Sequence, residues 1–375
     1  MKCFIILLLF ANYVFAIKRE VYHFASSFSP DGVPIHYTVY LCPEVALKNP
    51  AFLIHGLFIT SYSWKALGMR RCQSDGMSVM INQRGHGSGD HASVRRMPNP
   101  NDDLPGLAHG VNRMAALDID VVMADLISKG LINTSTKFDL VGHSLGTRTI
   151  IMNLAGFTIK EGKFVIDQKL GAERRARFRT ISLQGVWDPA YTPNHMKAMA
   201  KMAGFNEAWK RSLLKLFNFA TPDLSPTQIK ELLEGDKLRW RALNKALSKV
   251  NIKGLYNFKE SGLEASQFFL KAVTSKMHEE VSQSIVELFT KKGTSELFDQ
   301  CLKEFAKFDG PVTITVSKVD AITPIKGALY VIKRLKEHGL YNLTSYIFSD
   351  AGHGDISFGD RYQALDSHSV SILTY

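Results

Sequence analysis

Near the middle of the chain, Gly142-His143-Ser144-Leu145-Gly146 sets a serine between two glycines, each two positions away. The pentapeptide follows the apolar run Phe138-Asp139-Leu140-Val141 and precedes a helix-like stretch, the context in which a G-x-S-x-G turn presents a nucleophile. Both glycines have a steric role. A tight strand-to-helix turn forces the serine into a strained backbone conformation, and side chains at Gly142 or Gly146 would collide with neighbouring strands. Ser144 would then project its hydroxyl from the carboxyl edge of a sheet, at the start of a helix whose amide dipoles favour developing negative charge. A serine hydroxyl is a poor nucleophile until an imidazole removes its proton, and the imidazolium so formed needs an oriented carboxylate. The pattern therefore implies attack on a carbonyl and calls for a histidine and an acid from elsewhere in the chain.

The elements that would position such a group can be read from hydrophobic periodicity. Val21 to Ser27 and Ile35 to Leu41, separated by the turn signal Ser29-Pro30-Asp31-Gly32, read as an antiparallel hairpin. Phe52 to Ile54, Ser78 to Ile81, Phe138 to Val141, Thr180 to Leu183, Val312 to Val316 and Ser345 to Phe348 are apolar or β-rich runs separated by longer, largely helical stretches. That alternation implies crossover connections and a mostly parallel sheet, eight strands in all, buried on both faces. Helical spacing is visible in Met114 to Ser128 and Ile325 to His338, and Phe157 to Ile166, with Glu161-Gly162 at its centre, looks like a small inserted hairpin. Between Pro189 and Phe308 the strand signal gives way to helical periodicity, which reads as a helical insertion.

The chain resembles the α/β-hydrolase superfamily, in the lidded branch of serine esterases and lipase-like enzymes. The resemblance covers most of the chain beyond its leader, and Asn82-Gln83-Arg84-Gly85-His86-Gly87-Ser88-Gly89 extends it, with Gln83 near where an aspartate is usual. It implies an α/β-hydrolase fold with a helical cap inserted between strands 6 and 7, and site residues in the order serine, acid, histidine. Val312 to Val316 runs into Ser317-Lys318-Val319-Asp320, similar to the family's acid loop, and Tyr346-Ile347-Phe348 runs into Ser349-Asp350-Ala351-Gly352-His353-Gly354-Asp355, similar to its histidine loop. Asp320 and His353 are thus the expected acid and base for Ser144. Asp188, after the sixth strand, is the rival acid, because some relatives hold the carboxylate at that edge. Phe52-Leu53-Ile54-His55-Gly56-Leu57 ends where such enzymes place half of the oxyanion hole, so the amides of Leu57 and Leu145 are its expected donors and His55 a structural residue. With serine rather than aspartate at the elbow, dehalogenase and epoxide hydrolase chemistry are disfavoured, and neither cofactor nor metal is called for. The apolar residues of the insertion point to a small-molecule or lipid-like ester as substrate. Thioesterase, peptidase or acyltransferase chemistry on the same triad, and a non-catalytic binding protein of the same fold, are the alternatives.

Bulk properties agree with this class. At 375 residues, with 45% hydrophobic and 22% charged, the chain suits a globular protein and neither a disordered nor a multi-span membrane one. Lys2 followed by an apolar stretch from Cys3 to Phe10, with a cut after Ala16, reads as a signal peptide over residues 1–16 and predicts export to a periplasmic or extracellular space. The expected organisation is then hydrolase core over 17–188, cap over 189–308 and core again over 309–375. Cleavage leaves Cys42, Cys72 and Cys301; either Cys42 pairs with Cys72 or all three stay free thiols. No Cys/His spacing suits zinc. Asn133-Thr134-Ser135 and Asn342-Leu343-Thr344 match the glycosylation sequon. The net charge of +11 is dispersed, without the aromatic-interleaved basic motif of a nucleic-acid binder, which leaves weak attraction to an anionic membrane or envelope surface. Oligomeric state is not legible.

Overall fold

Six short runs rich in Val, Ile, Leu and Met cannot each satisfy their backbone polar groups alone, and in the folded chain they pair into the centre of one sheet. The computed structural model describes residues 19–25, 29, 32–57, 59–86, 107–192, 251–252, 256–257, 293–358 and 370–372, with side chains at 29, 32–57, 59–86, 114–188, 190–192 and 296–357. The strands are β1 (Arg19–Ala25), β2 (Ile35–Leu41), β3 (Ala51–Ile54), β4 (Met77–Ile81), β5 (Phe138–His143), β6 (Phe157–Lys160), β7 (Lys163–Ile166), β8 (Phe178–Gln184), β9 (Asn251–Ile252), β10 (Tyr256–Asn257), β11 (Val312–Ser317), β12 (Leu343–Phe348) and β13 (Val370–Ile372). The helices are α1 (Lys65–Asp75), α2 (Leu107–Ser128), α3 (Leu145–Leu154), α4 (Gln168–Arg175), α5 (Gly293–Phe305), α6 (Ile325–Glu337) and α7 (Asp355–Phe358).

Nine strands form the main sheet, in the order β1-β2-β4-β3-β5-β8-β11-β12-β13. From β4 to β12 every neighbour is parallel; β1, β2 and β13 run antiparallel to theirs. The sheet therefore has one strand more than the eight expected from the sequence. The addition, β13, pairs only Tyr346 to Phe348 with Val370 to Ile372, a stretch too short and too mixed with serine to announce itself. The hairpin β6–β7 is separate, and its turn is built as anticipated: Glu161 and Gly162 both have positive φ, 51° and 71°, as a two-residue turn matched to the strand twist requires.

Helices α2, α3, α5 and α6 touch in that order, whereas α1 packs against β2, β3 and β4. α5 and α6 are amphipathic in the plainest sense. Phe298, Cys301, Leu302 and Phe305 on the first, and Ala328, Val331, Ile332 and Leu335 on the second, recur at i, i+3, i+4 and i+7 and enter the central core. α5 falls inside the stretch 189–308 read as a cap, yet its apolar side joins the sheet domain, with the guanidinium of Arg148 from α3 lying 4.6 Å from the centroid of Phe298. The rest of that stretch, apart from 189–192, 251–252, 256–257 and 306–308, lies outside the described residues, as does the leader over 1–16.

Cys42, at the end of β2, and Cys72, on α1, form a disulfide with Cα atoms 5.6 Å apart, which resolves the two readings left open by the sequence. Cys301 is a buried free thiol. Among the described residues no helix is long and apolar enough to cross a membrane, and no cluster of His, Cys, Asp or Glu suits a metal ion.

Candidate active site

β5 ends at His143 and α3 begins at Leu145, so the whole change of direction falls on Ser144, at φ 51° and ψ −118°. A non-glycine residue held there costs on the order of 1–3 kcal/mol, a strain that persists only where the surroundings over-determine it. They do so here. The Ser144 amide donates to the carbonyl of Gln184 at 2.8 Å, tying the turn to the end of β8, and the Ser144 carbonyl accepts from Thr147 through both its amide (3.0 Å) and its hydroxyl (2.7 Å). Only Gly146 meets a neighbouring strand as anticipated; a Cβ at Gly142 would instead meet the following helix, at Ile150 and the backbone of Gly146. A Cβ at Gly142 would stand 2.6 Å from Ile150 Cδ1, and one at Gly146 2.4 Å from the carbonyl oxygen of Ile54.

His353 and Asp320 meet. His353 Nδ1 lies 2.8 Å from Asp320 Oδ2. Three other donors hold the carboxylate: the amides of Ile322 and Thr323, each 2.8 Å from Oδ1, and the Thr323 hydroxyl, 2.6 Å from Oδ2. An acceptor-only carboxylate on Nδ1 fixes the proton on that nitrogen and leaves Nε2 with its lone pair. The loop that carries His353 is braced by Asp355, whose Oδ2 accepts from the Gly352 amide at 2.6 Å, and by the small apolar cluster of Phe348, Ala351 and Ile356. The imidazole lies beside Gly185, where a Cβ would stand 3.2 Å from His353 Cε1, one residue beyond the carbonyl that holds Ser144. No hydrogen bond joins the Ser144 hydroxyl to His353; such contacts commonly tighten only when substrate arrives.

Asp188 is fully buried but engaged differently. Its Oδ1 accepts from the Ala190 amide at 2.7 Å and its carbonyl from Tyr191, so it initiates the turn Pro189–Tyr191, whereas the carboxylate beside His353 is that of Asp320.

The strand end that carries Leu57 abuts the elbow: a Cβ on Gly56 would stand 2.8 Å from Ser144 Cβ and 2.8 Å from His143 Nδ1. Leu145 is the first residue of α3, so its amide is one of the four without an acceptor inside the helix. His55 fixes this loop. Its Nδ1 donates to the Gly56 carbonyl at 2.6 Å and its Nε2 accepts from the Gln83 amide at 2.9 Å, so both ring nitrogens are spent on backbone. Burial holds its pKa well below 6.5, and the His86 ring, 4.9 Å away, pushes the same way; His55 is neutral.

Two residues of the site have roles that the sequence does not reveal. Gln83, where an aspartate is usual in the family it resembles, donates its side-chain amide to the His55 carbonyl and accepts from the Thr149 hydroxyl at 2.6 Å, a pairing that needs a donor and an acceptor on one side chain. His143 packs against His353, ring centroids 4.6 Å apart, with Nε2 2.9 Å from the His353 carbonyl oxygen. Its place in the elbow motif was visible, but its partner, 210 residues away, was not.

Comparison with known proteins agrees with this architecture. The model of the alpha/beta hydrolase family matches residues 51–270, more than half of the chain. Among solved structures, an esterase from Exiguobacterium antarcticum aligns at TM-score 0.51 and 14% identity, covering 90% of this chain and 94% of its own. A serine hydrolase from Cycloclasticus zankles aligns at 0.50 and 17%, covering 92% and 94%. At these identities the likeness is one of fold. No curated protein matches the chain.

Proposed function

We propose, from the premise that this chain belongs to the α/β-hydrolase family, that it is an exported serine hydrolase cleaving a carboxylic ester with an apolar group. The observation that carries the reading is the 2.8 Å contact of His353 Nδ1 with Asp320, on a loop that meets the strained turn of Ser144. In the first half-reaction Ser144 Oγ bonds to the ester carbonyl carbon while its proton passes to His353 Nε2. The oxyanion is received by the amides of Leu57 and Leu145, each donor worth about 3 kcal/mol in the transition state. Collapse expels the alcohol, which takes the proton from His353, and leaves an acyl-serine. Water, deprotonated by His353, then attacks the acyl carbon, and as the acyl–oxygen bond breaks His353 returns the proton to Ser144 Oγ and the acid product leaves. Asp320 holds the imidazole in the required tautomer throughout.

Export rests on the leader-like residues 1–16 and on the Cys42–Cys72 disulfide, a bond that persists in oxidising compartments. A lipid-like substrate and a cap rest on the apolar residues of the insertion before α5, since the apolar side of α5 itself joins the core of the sheet domain. The test is reaction of the purified protein with a fluorophosphonate probe, followed by hydrolysis of esters graded in acyl length. Labelling lost in Ser144→Ala and turnover that rises with acyl length are expected; a wild-type protein that neither labels nor hydrolyses any ester refutes the proposal.

A further inference from the structure

The proposed nucleophile and base sit on β5 and on the loop after β12, which are not neighbours in the sheet. The intervening strands set their separation only through the backbone, Ser144 being tied to Gln184 and the His353 ring lying against Gly185, so a side chain that joins the two directly adds a further constraint. His143 spans the gap. It immediately precedes Ser144, is buried, and places Nε2 2.9 Å from the carbonyl oxygen of His353. A carbonyl only accepts, so His143 Nε2 carries the proton and donates it. The His143 and His353 rings pack at 4.6 Å between centroids with 46° between their planes. On its other side the His143 ring meets the loop of Gly56, where a Cβ would come within 2.8 Å of His143 Nδ1. One imidazole thus touches the base's ring, holds the base's backbone and abuts the strand end that carries Leu57. Burial, with His353 beside it, holds its pKa well below 6.5, so it stays neutral and adds no second charge when His353 is protonated.

We infer that His143 is a positioning residue, its Nε2–H fixing the backbone of His353 at the distance from which His353 can serve Ser144; this rests on the assignment of those two residues made above. The role differs from filling space, because it requires a donor at one atom. Glutamine places an amide nitrogen the same number of bonds beyond Cβ as His143 Nε2, methionine has the same reach without a donor, and asparagine keeps the donor one bond short. The three variants His143→Gln, His143→Met and His143→Asn are compared with wild type for kcat and KM on an ester and for the rate of inactivation by a fluorophosphonate. Folding is checked by urea unfolding.

A displacement of the base of the order of an ångström costs about 10²-fold. His143→Met is therefore expected to lose roughly 10- to 100-fold in kcat and in inactivation rate, with KM within about twofold, while His143→Gln recovers most of both. If the methionine variant does not fold, His143→Asn takes its place and is expected to be slow where His143→Gln is fast. Equal rates for the glutamine variant and the methionine variant, or the asparagine variant where it stands in, whether both fast or both slow, overturn the inference. A wild-type protein that fails to react with the probe instead removes the serine hydrolase reading, and this inference with it.

Discussion

Gly146→Ala adds one methyl group at the tightest point of the elbow, and its cost can be worked from the surroundings. The new Cβ would stand 2.4 Å from the carbonyl oxygen of Ile54, 2.7 Å from that of His55 and 2.9 Å from the carbonyl carbon of Ile54, all backbone atoms. No side chain can turn aside to relieve the overlap. Either α3 or the end of β3 must give by about 1 Å, and β3 is paired on both sides, Ile54 lying opposite Ile81 on one and Gly142 on the other. Overpacking of this kind destabilises by about 1–3 kcal/mol. The movement has a second consequence, because His55, Gly56 and Leu57 continue directly from the displaced strand end. A shift of that size takes the Leu57 amide out of range of an oxyanion, and loss of one such donor is worth about 3 kcal/mol, or roughly 10²-fold in kcat. Urea unfolding and steady-state ester hydrolysis measure the two effects separately. A Gly146→Ala protein with wild-type kcat and unfolding midpoint would refute the reasoning, since the strand and helix would then have room that the geometry denies them.

Asp320→Asn leaves a neutral group beside His353 Nδ1 that no longer enforces the tautomer, and kcat is expected to fall by about 10⁴, whereas Asp188→Asn retains an acceptor for the Ala190 amide and most of the activity; the opposite ranking would move the acid to Asp188. Replacing Cys42 and Cys72 together by serine opens a loop of sequence separation 30 and is expected to cost roughly 3–4 kcal/mol, read from urea unfolding; unchanged stability would count against the bridge. Acidification should weaken the fold in part through His55 and His143. Both have folded-state pKa values well below 6.5, so beneath that pH the unfolded chain binds protons that the folded chain refuses, and above it neither form does. Each contributes a loss of up to about 1.4 kcal/mol per pH unit below 6.5, and His143→Gln should flatten the dependence between pH 7 and pH 5.5; equal slopes for variant and wild type would refute the assignment.

What the sequence disclosed follows from how each element is stabilised. The six parallel strands are apolar because both faces are covered, and α6 repeats its apolar residues every three or four positions because one side enters the core, so both were legible. α1 was not located. Its buried residues include Ala66, Gly68 and Cys72, small groups that let the helix lie close to β4, and a Cβ on Gly68 would stand 2.8 Å from Met80 Sδ. A helix that packs by closeness leaves no apolar stripe to read. The elbow, the acid loop and the histidine loop each carry local backbone signals and were legible one by one. The contacts of Gln83 with His55 and Thr149, and of His143 with His353, were not, since a hydrogen bond between distant segments leaves no periodicity in either.

Three histidines stand close to Ser144, and their hydrogen bonds distinguish them better than their positions. His55 is spent at both nitrogens, donating to Gly56 and accepting from Gln83, and burial keeps it neutral. His143 directs its proton to the carbonyl of His353, which makes that nitrogen a donor and removes it as a base. His353 alone has a carboxylate on one nitrogen, so protonation of the other would leave an imidazolium already paired with its counter-charge. For His55 or His143 to accept a proton, a charge would have to be buried beside a second imidazole, the arrangement that depresses both pKa values. The same burial that keeps these two neutral holds the loops of Gly56 and His353 in place. Among the described residues the imidazole–carboxylate contact near the elbow is that of His353 with Asp320, so under the proposed function the base sits where its charge is compensated, and the neutral imidazoles of His55 and His143 would serve as its supports.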